Sequence, residues 1–148
     1  MQLIEAFELA CELHRGQQDK AGKPYIEHLV RVMLGVQKMG GSSAQQIAAL
    51  LHDSLEDGYA TADLLLQRGV PAQAVSLVQT LTRPHGQRYL EYIAGVKRNP
   101  GAALVKAADL ADNADPARLA LLPESDASRL RAKYERASQV LFSDPDVS

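Results

Sequence analysis

The sequence predicts an all-α fold, a single compact multi-helix domain, and two observations carry that prediction. Ala and Leu number 22 and 21 of the 148 residues, against 17 for Val, Ile and Thr together. Ala and Leu lose little entropy in a helix, whereas strands favour β-branched and aromatic side chains. Apolar residues also recur at helical spacing almost throughout, and no strand-like alternation runs longer than a few residues. A chain of this length buries about 70 % of its unfolded surface, so it needs no disulfide or metal merely to fold.

The elements follow in order. Leu3, Phe7, Ala10, Cys11 and His14 set out a first helix from about Gln2 to His14. Arg15 to Ile26, with two Gly and one Pro, is a long connection for a helical domain, and such loops are often functional. A second helix covers about Glu27 to Met39 and stops at Gly40-Gly41. Ser42 or Ser43 caps a third, which runs through IAALLHDSLED to near Gly58. Thr61 caps a short helix to Arg68, and Pro71 opens another to about Leu81. Arg83-Pro84-His85-Gly86 is a turn, and Gln87 to Arg98 is helical up to Asn99-Pro100. Ala102 to Asn113 follows, Asp115-Pro116 restarts a short helix, and the last helix spans about Asp126 to Phe142. The domain is expected over residues 1–142, with 143–148 a frayed tail.

Composition excludes several function classes. The longest aliphatic run, Ile47 to Leu51, falls far short of the ~20 residues that span a bilayer. The N-terminal segment carries Glu5 and Glu8 and no basic region, unlike a signal peptide. Lone Cys11 forbids an internal disulfide and reads as a small packing residue in a reducing compartment. With 16 basic and 18 acidic residues there is no general nucleic-acid footprint. The expectation is a cytoplasmic protein with a small-molecule partner, neither nucleic acid nor membrane.

The informative residues break the apolar stripes. His28 begins the row Val32, Val36, Met39; His52 and Asp53 lie directly beside the stripe Ile47, Leu51, Leu55; and Asp109 interrupts a helix made mostly of Leu, Val and Ala. A lone histidine on an apolar face is usually a hydrogen-bonded core residue. A buried carboxylate, though, needs a partner or a metal. Two His and two Asp from three helices form a set that suits Zn²⁺, Mn²⁺ or Fe²⁺, and bundles build metal sites from facing helices in this way. Two carboxylates leave the bare ion near neutral, still able to polarise a phosphoryl oxygen. Glu56 and Asp57, four residues beyond His52 and Asp53, are either a solvated helix end or the groups that orient or deprotonate a water. Metal-assisted phosphoester hydrolysis is the favoured chemistry.

The order His28, His52-Asp53, Asp109 resembles the HD phosphohydrolase superfamily. HRGQQDKAGKPYIEH (14–28), AALLHDSLED (48–57), LVQTLTR (77–83) and LVKAADLADN (104–113) resemble, more narrowly, the hydrolase domain of RelA/SpoT proteins and its free-standing form, the small alarmone hydrolases. The resemblance implies a helical fold holding Mn²⁺ through His28, His52, Asp53 and Asp109. It also implies removal of the 3′-pyrophosphate of guanosine tetra- or pentaphosphate. By it, Glu56 and Asp57 are a catalytic acidic pair, while Lys20 and Asn113 contact the nucleotide.

The chain departs from the pattern in three places. Asp19 stands where that family usually has Arg, Leu29 where it has Pro, and the ADPARL stretch after Asn113 differs. With no synthetase region following, hydrolysis alone is expected. Asp19 keeps open another phosphorylated nucleotide, such as an adenosine alarmone or the 2′-phosphate of NADPH; a sensor without catalysis is the third class. His14 is expected to be structural, His85 solvated, and Tyr25 a loop-packing or base-stacking residue. Arg15, Lys23, Arg83 and Lys106 read as surface charges that could also neutralise a polyphosphate.

Overall fold

Helix α3 (Ser43–Leu51) lies at the centre of the molecule, because every side chain from Ile47 to Leu51 is apolar and at most 1 % exposed. Of the two serines before it, Ser42 is the cap. Its hydroxyl accepts from the Gln45 N–H at 3.2 Å, and its own N–H donates to the Gln45 side chain at 2.8 Å. Around α3 pack α1 (Leu3–Leu13), α2 (Tyr25–Lys38), α5 (Ala72–Leu81) and α7 (Pro100–Asn113). The short α4 (Ala62–Gln67) leans on α5, and α6 (Tyr89–Lys97) joins α7 to the long α9 (Glu124–Phe142). Leu119, Ala127 and Leu130 pin α8 (Pro116–Leu119) against α9.

This computed structural model describes residues 1–143, so residues 144–148 of the expected tail lie outside it. Among the described residues all regular structure is helical; a single isolated bridge, Gln18 to Pro24, is the only extended pairing. No helix among them is long and apolar enough to cross a membrane. Cys11 is half-buried and unpaired, and burial pushes its thiol up, as suits a packing residue.

Most helix ends fall within two residues of expectation. Proline moves several of them, since Pro24 and Pro123 occupy N-caps and let α2 and α9 begin early. The third helix is the real departure. It stops at Leu51 instead of running to Gly58, and residues 52–58 form turns. The cause is local, because side chains take the carbonyls of its last turn. His52 Nδ1 lies 2.6 Å from the Ala49 carbonyl, and the Ser54 hydroxyl donates to Leu51 O at 2.7 Å.

The end of α2 supplies a packing test. Gly40 has φ +80°, and the Gly41 N–H closes the helix on Val36 O at 2.9 Å. A Cβ on Gly41 would lie 2.4 Å from Val36 Cγ1 and 2.9 Å from Val36 O. Gly41→Ala is therefore expected to destabilise by about 1–3 kcal/mol, the usual range for overpacking, read as a lower urea midpoint with unchanged slope.

Candidate metal centre

Three segments deliver the stripe-breaking residues to one buried point. His28 comes from the first turn of α2, His52 and Asp53 from the turn just past α3, and Asp109 from the middle of α7. His28, His52 and Asp109 are 2 %, 2 % and 4 % exposed. One ligand atom from each lies within 4.8 Å of the others. Asp109 Oδ1 is 3.0 Å from His28 Nε2 and 3.3 Å from His52 Nε2. Asp53 stands at the edge of this cluster, its Oδ2 3.2 Å from His52 Nε2 and 3.9 Å from His28 Nε2.

The donor chemistry fits a divalent cation. Ala49 O can only accept, so His52 Nδ1 carries the proton; His28 Nδ1 faces the Asp112 carboxylate at 2.6 Å and does the same. Both Nε2 lone pairs are thereby turned toward the oxygens of Asp53 and Asp109. Acceptors facing acceptors in a buried space call for a positive charge between them. Burial opposes a charged His52, but Asp53 and Asp109 outweigh it and push the imidazole up to about 9. A cation must displace that proton. Binding of a divalent cation is accordingly expected to strengthen as pH rises toward 9 and to fade as pH falls, by up to about tenfold per unit for each proton released, read by metal titration across pH.

Around the ligands lies a ring of donors. Lys106 Nζ donates to Asp109 Oδ2 at 2.8 Å and the Asn113 amide to Asp109 Oδ1 at 3.2 Å, while the Tyr25 hydroxyl donates to Asp53 Oδ2. Lys106 is no surface charge: it is 8 % exposed, and Asp109 keeps its ammonium charged against the penalty of burial. Its place three residues before Asp109 on α7 was the available signal. Tyr25 packs against the core and beside the His14 ring, as expected of a packing residue, and its hydroxyl is in addition tied to a candidate ligand. Sequence reasoning also passed over Asp112, which shares its helix face with Asp109 at i,i+3.

Glu56 and Asp57 lie outside the ligand cluster, on exposed turn residues. The Asp57 N–H still donates to Asp53 O at 3.1 Å, preserving one helical turn between the two pairs. Partial burial and then the Asp53 charge raise both carboxyls, which brings them nearer the range where an acid exchanges protons at neutral pH. Gln17 donates to Asp57 Oδ2 at 3.4 Å and accepts from His14 Nδ1 at 2.6 Å. His14 is buried, as expected of a structural residue, although its Nε2 has no hydrogen-bond partner among the described residues. His85 is exposed.

Beside the cluster opens a cleft of about 390 Å³ walled by the 14–24 loop, α8 and α9, with Lys20, Asn113, Arg118 and Tyr134 in its lining. Tyr25 and Asn113 belong to both places, lining the cleft and bonding a candidate ligand. Asp19 presents no free anion here. Its Oδ1 accepts from the Ala21 and Lys23 N–H groups at 2.9 Å each, its Oδ2 pairs with Arg118 at 3.2 Å, and its side chain is 8 % exposed. Its partner Arg118 comes from the divergent ADPARL stretch and lies between the carboxylates of Asp19 and Asp112.

Comparison with known proteins gives the family and the fold. Over 120 residues, 76 % of its length, the chain is 32 % identical to a guanosine-3′,5′-bis(diphosphate) 3′-pyrophosphohydrolase of Aquifex aeolicus. Over 83 residues, 56 % of its length, it is 34 % identical to a protein of the same description from Borreliella burgdorferi. It spans only 17 % and 12 % of those relatives. Its fold is like that of a metazoan ortholog of SpoT described as hydrolysing ppGpp, with a TM-score of 0.77 over 95 % of this chain and 85 % of the other at 22 % identity. The model of the HD domain matches residues 6–125, a span that holds His28, His52-Asp53 and Asp109, and the chain belongs to the HD-domain family.

Proposed function

We propose that the protein is a metal-dependent phosphohydrolase that removes the 3′-pyrophosphate of guanosine tetra- and pentaphosphate, giving GDP or GTP and pyrophosphate. The observation that carries this reading is the shared position of Tyr25 and Asn113, which join the cleft of about 390 Å³ to the buried His/Asp cluster. The relatives' described activity gives the substrate class.

His28, His52, Asp53 and Asp109 would hold the cation, with Mn²⁺ as the proposed ion. When bound, it polarises a phosphoryl oxygen and stabilises the charge that develops there. The chain's own groups do the rest. Lys20, Asn113 and Arg118 seat the nucleotide in the cleft. Glu56, assisted by Asp57, orients a water and takes its proton as the water oxygen bonds to the phosphorus nearest the ribose. The bond from that phosphorus to the 3′ oxygen breaks, the 3′ oxygen ends protonated, and pyrophosphate leaves. Lys106 holds Asp109 ionised and in place throughout.

The test is direct. Metal-stripped protein is incubated with Mn²⁺ and guanosine tetraphosphate, with Asp53→Ala as control. The expected result is metal-dependent release of GDP and pyrophosphate by the wild type alone. Silence in protein shown to hold Mn²⁺ would overturn the substrate assignment, and equal release by Asp53→Ala would overturn the site.

A further inference from the structure

Asp112 carries more charged partners than any role in helix packing would require. Its side chain is 8 % exposed, yet Oδ2 accepts from His28 Nδ1 at 2.6 Å and from Arg118 Nη1 at 2.7 Å, while Oδ1 accepts from Arg31 Nε at 2.7 Å. Arg118 continues the chain through Nη2 to Asp19 Oδ2 at 3.2 Å, and Asp19 Oδ1 holds the Ala21 and Lys23 N–H groups. An unbroken run of charge-assisted hydrogen bonds therefore leads from the 14–24 loop, across α8 and α7, to the imidazole of His28.

We propose that Asp112 is the positioning carboxylate of the metal centre, and that Arg118 couples it to the loop through Asp19, so that metal retention and the order of the cleft wall are linked. The inference rests on the reading of His28 as a metal ligand. A carboxylate on the far nitrogen of a ligating imidazole fixes the ring's tautomer and orientation and raises its basicity. Arg31 donates to Oδ1 and Arg118 to Oδ2, so both oxygens of Asp112 are held while Oδ2 faces His28 Nδ1. Arg118 bonds Asp112 and Asp19 at once, so loosening either end frees a guanidinium that the other end needs. Asp19, Arg31 and Arg118 all line the cleft. Coupling of this kind is reciprocal: what orders the loop tightens the centre, and what fills the centre orders the loop.

The test uses the full chain, Mn²⁺ alone as probe, and no nucleotide. Equilibrium dialysis gives the Mn²⁺ Kd, and amide hydrogen exchange over residues 17–24 reports the loop with and without metal. Asp112→Asn keeps the shape and removes the charge, and is expected to weaken Mn²⁺ binding by about 10- to 100-fold at unchanged helicity. Asp19→Asn and Arg118→Gln are expected to speed loop exchange and to weaken Mn²⁺ binding by about fivefold or more. A folded Asp112→Asn that binds Mn²⁺ within twofold of the wild type overturns the positioning role. Faster loop exchange in Asp19→Asn at unchanged Mn²⁺ Kd overturns the coupling. Should Asp112→Asn fail to fold, wild-type Mn²⁺ affinity in Arg118→Gln overturns the proposal in its place. Because no nucleotide is present, a wild type that binds Mn²⁺ without turnover counts against the proposed reaction and leaves this inference standing.

Discussion

Asp109→Asn is expected to yield a folded chain that no longer retains Mn²⁺, with affinity reduced at least about 100-fold and turnover lost with it. Losses from outer-sphere partners alone reach that size, which makes it a floor for a ligand. Asp109 Oδ1 sits between both imidazole Nε2 atoms, and Oδ2 receives the Lys106 ammonium. The amide keeps the volume and one acceptor for Lys106 while removing the negative charge that a cation needs. Asp109→Ala goes further. It strands a buried lysine, and breaking a buried ion pair from one side costs about 3–5 kcal/mol. For a domain of this size that lowers Tm by about 10 °C or more, so loss of metal in the alanine variant would be confounded with loss of fold. Dialysis and thermal melts of both variants separate the effects. An Asn variant that holds Mn²⁺ like the wild type removes Asp109 from the ligand set. An Ala variant that melts like the wild type means that Lys106 reaches water once its partner is gone.

What was legible in the sequence was what periodicity encodes. An apolar stripe fixes which face of a helix turns inward, so His28 and Asp109, each in register with such a stripe, belong to the interior on sequence grounds alone. His52 and Asp53 were legible as polar residues directly beside the stripe Ile47, Leu51, Leu55; the structure buries His52 and leaves Asp53 at the edge, 18 % exposed. The end of α3 was not legible, since it depends on the Ser54 hydroxyl and the His52 ring competing for carbonyls, which hydrophobic pattern does not record. Lys106 looked like a surface charge because lysine is rarely buried; its burial is made possible by Asp109, one turn on. The pairing of Asp19 with Arg118 links residues 99 apart, one in the 14–24 loop and one on α8. Neither residue announces the other, and reading position 19 alone suggested an anion in the cleft where the fold places a satisfied ion pair.

Glu56→Gln is expected to lower kcat by about 10²- to 10⁴-fold, the usual span for a general acid–base group, with KM changed by less than about twofold and the Mn²⁺ Kd unchanged. The argument is one of position. Glu56 is outside the ligand cluster, its side chain is 36 % exposed, and its Oε1 lies 3.9 Å from Arg83 Nε. Glutamine preserves the side chain's size and one acceptor oxygen but cannot accept and return a proton, so a step that moves one should suffer most. Partial burial and Asp53 raise the Glu56 carboxyl, while Lys106 and Arg83 pull it down. Removing the Arg83 charge should therefore raise it further. If Glu56 acts as a base, Arg83→Gln shifts the acid limb of the kcat profile to higher pH, and the same limb vanishes in Glu56→Gln. A rise in KM alone would make Glu56 a binding residue, and loss of Mn²⁺ would place it among the ligands. An acid limb that survives in Glu56→Gln but disappears in Asp57→Asn would transfer the proton to Asp57, the carboxylate that Gln17 holds in place.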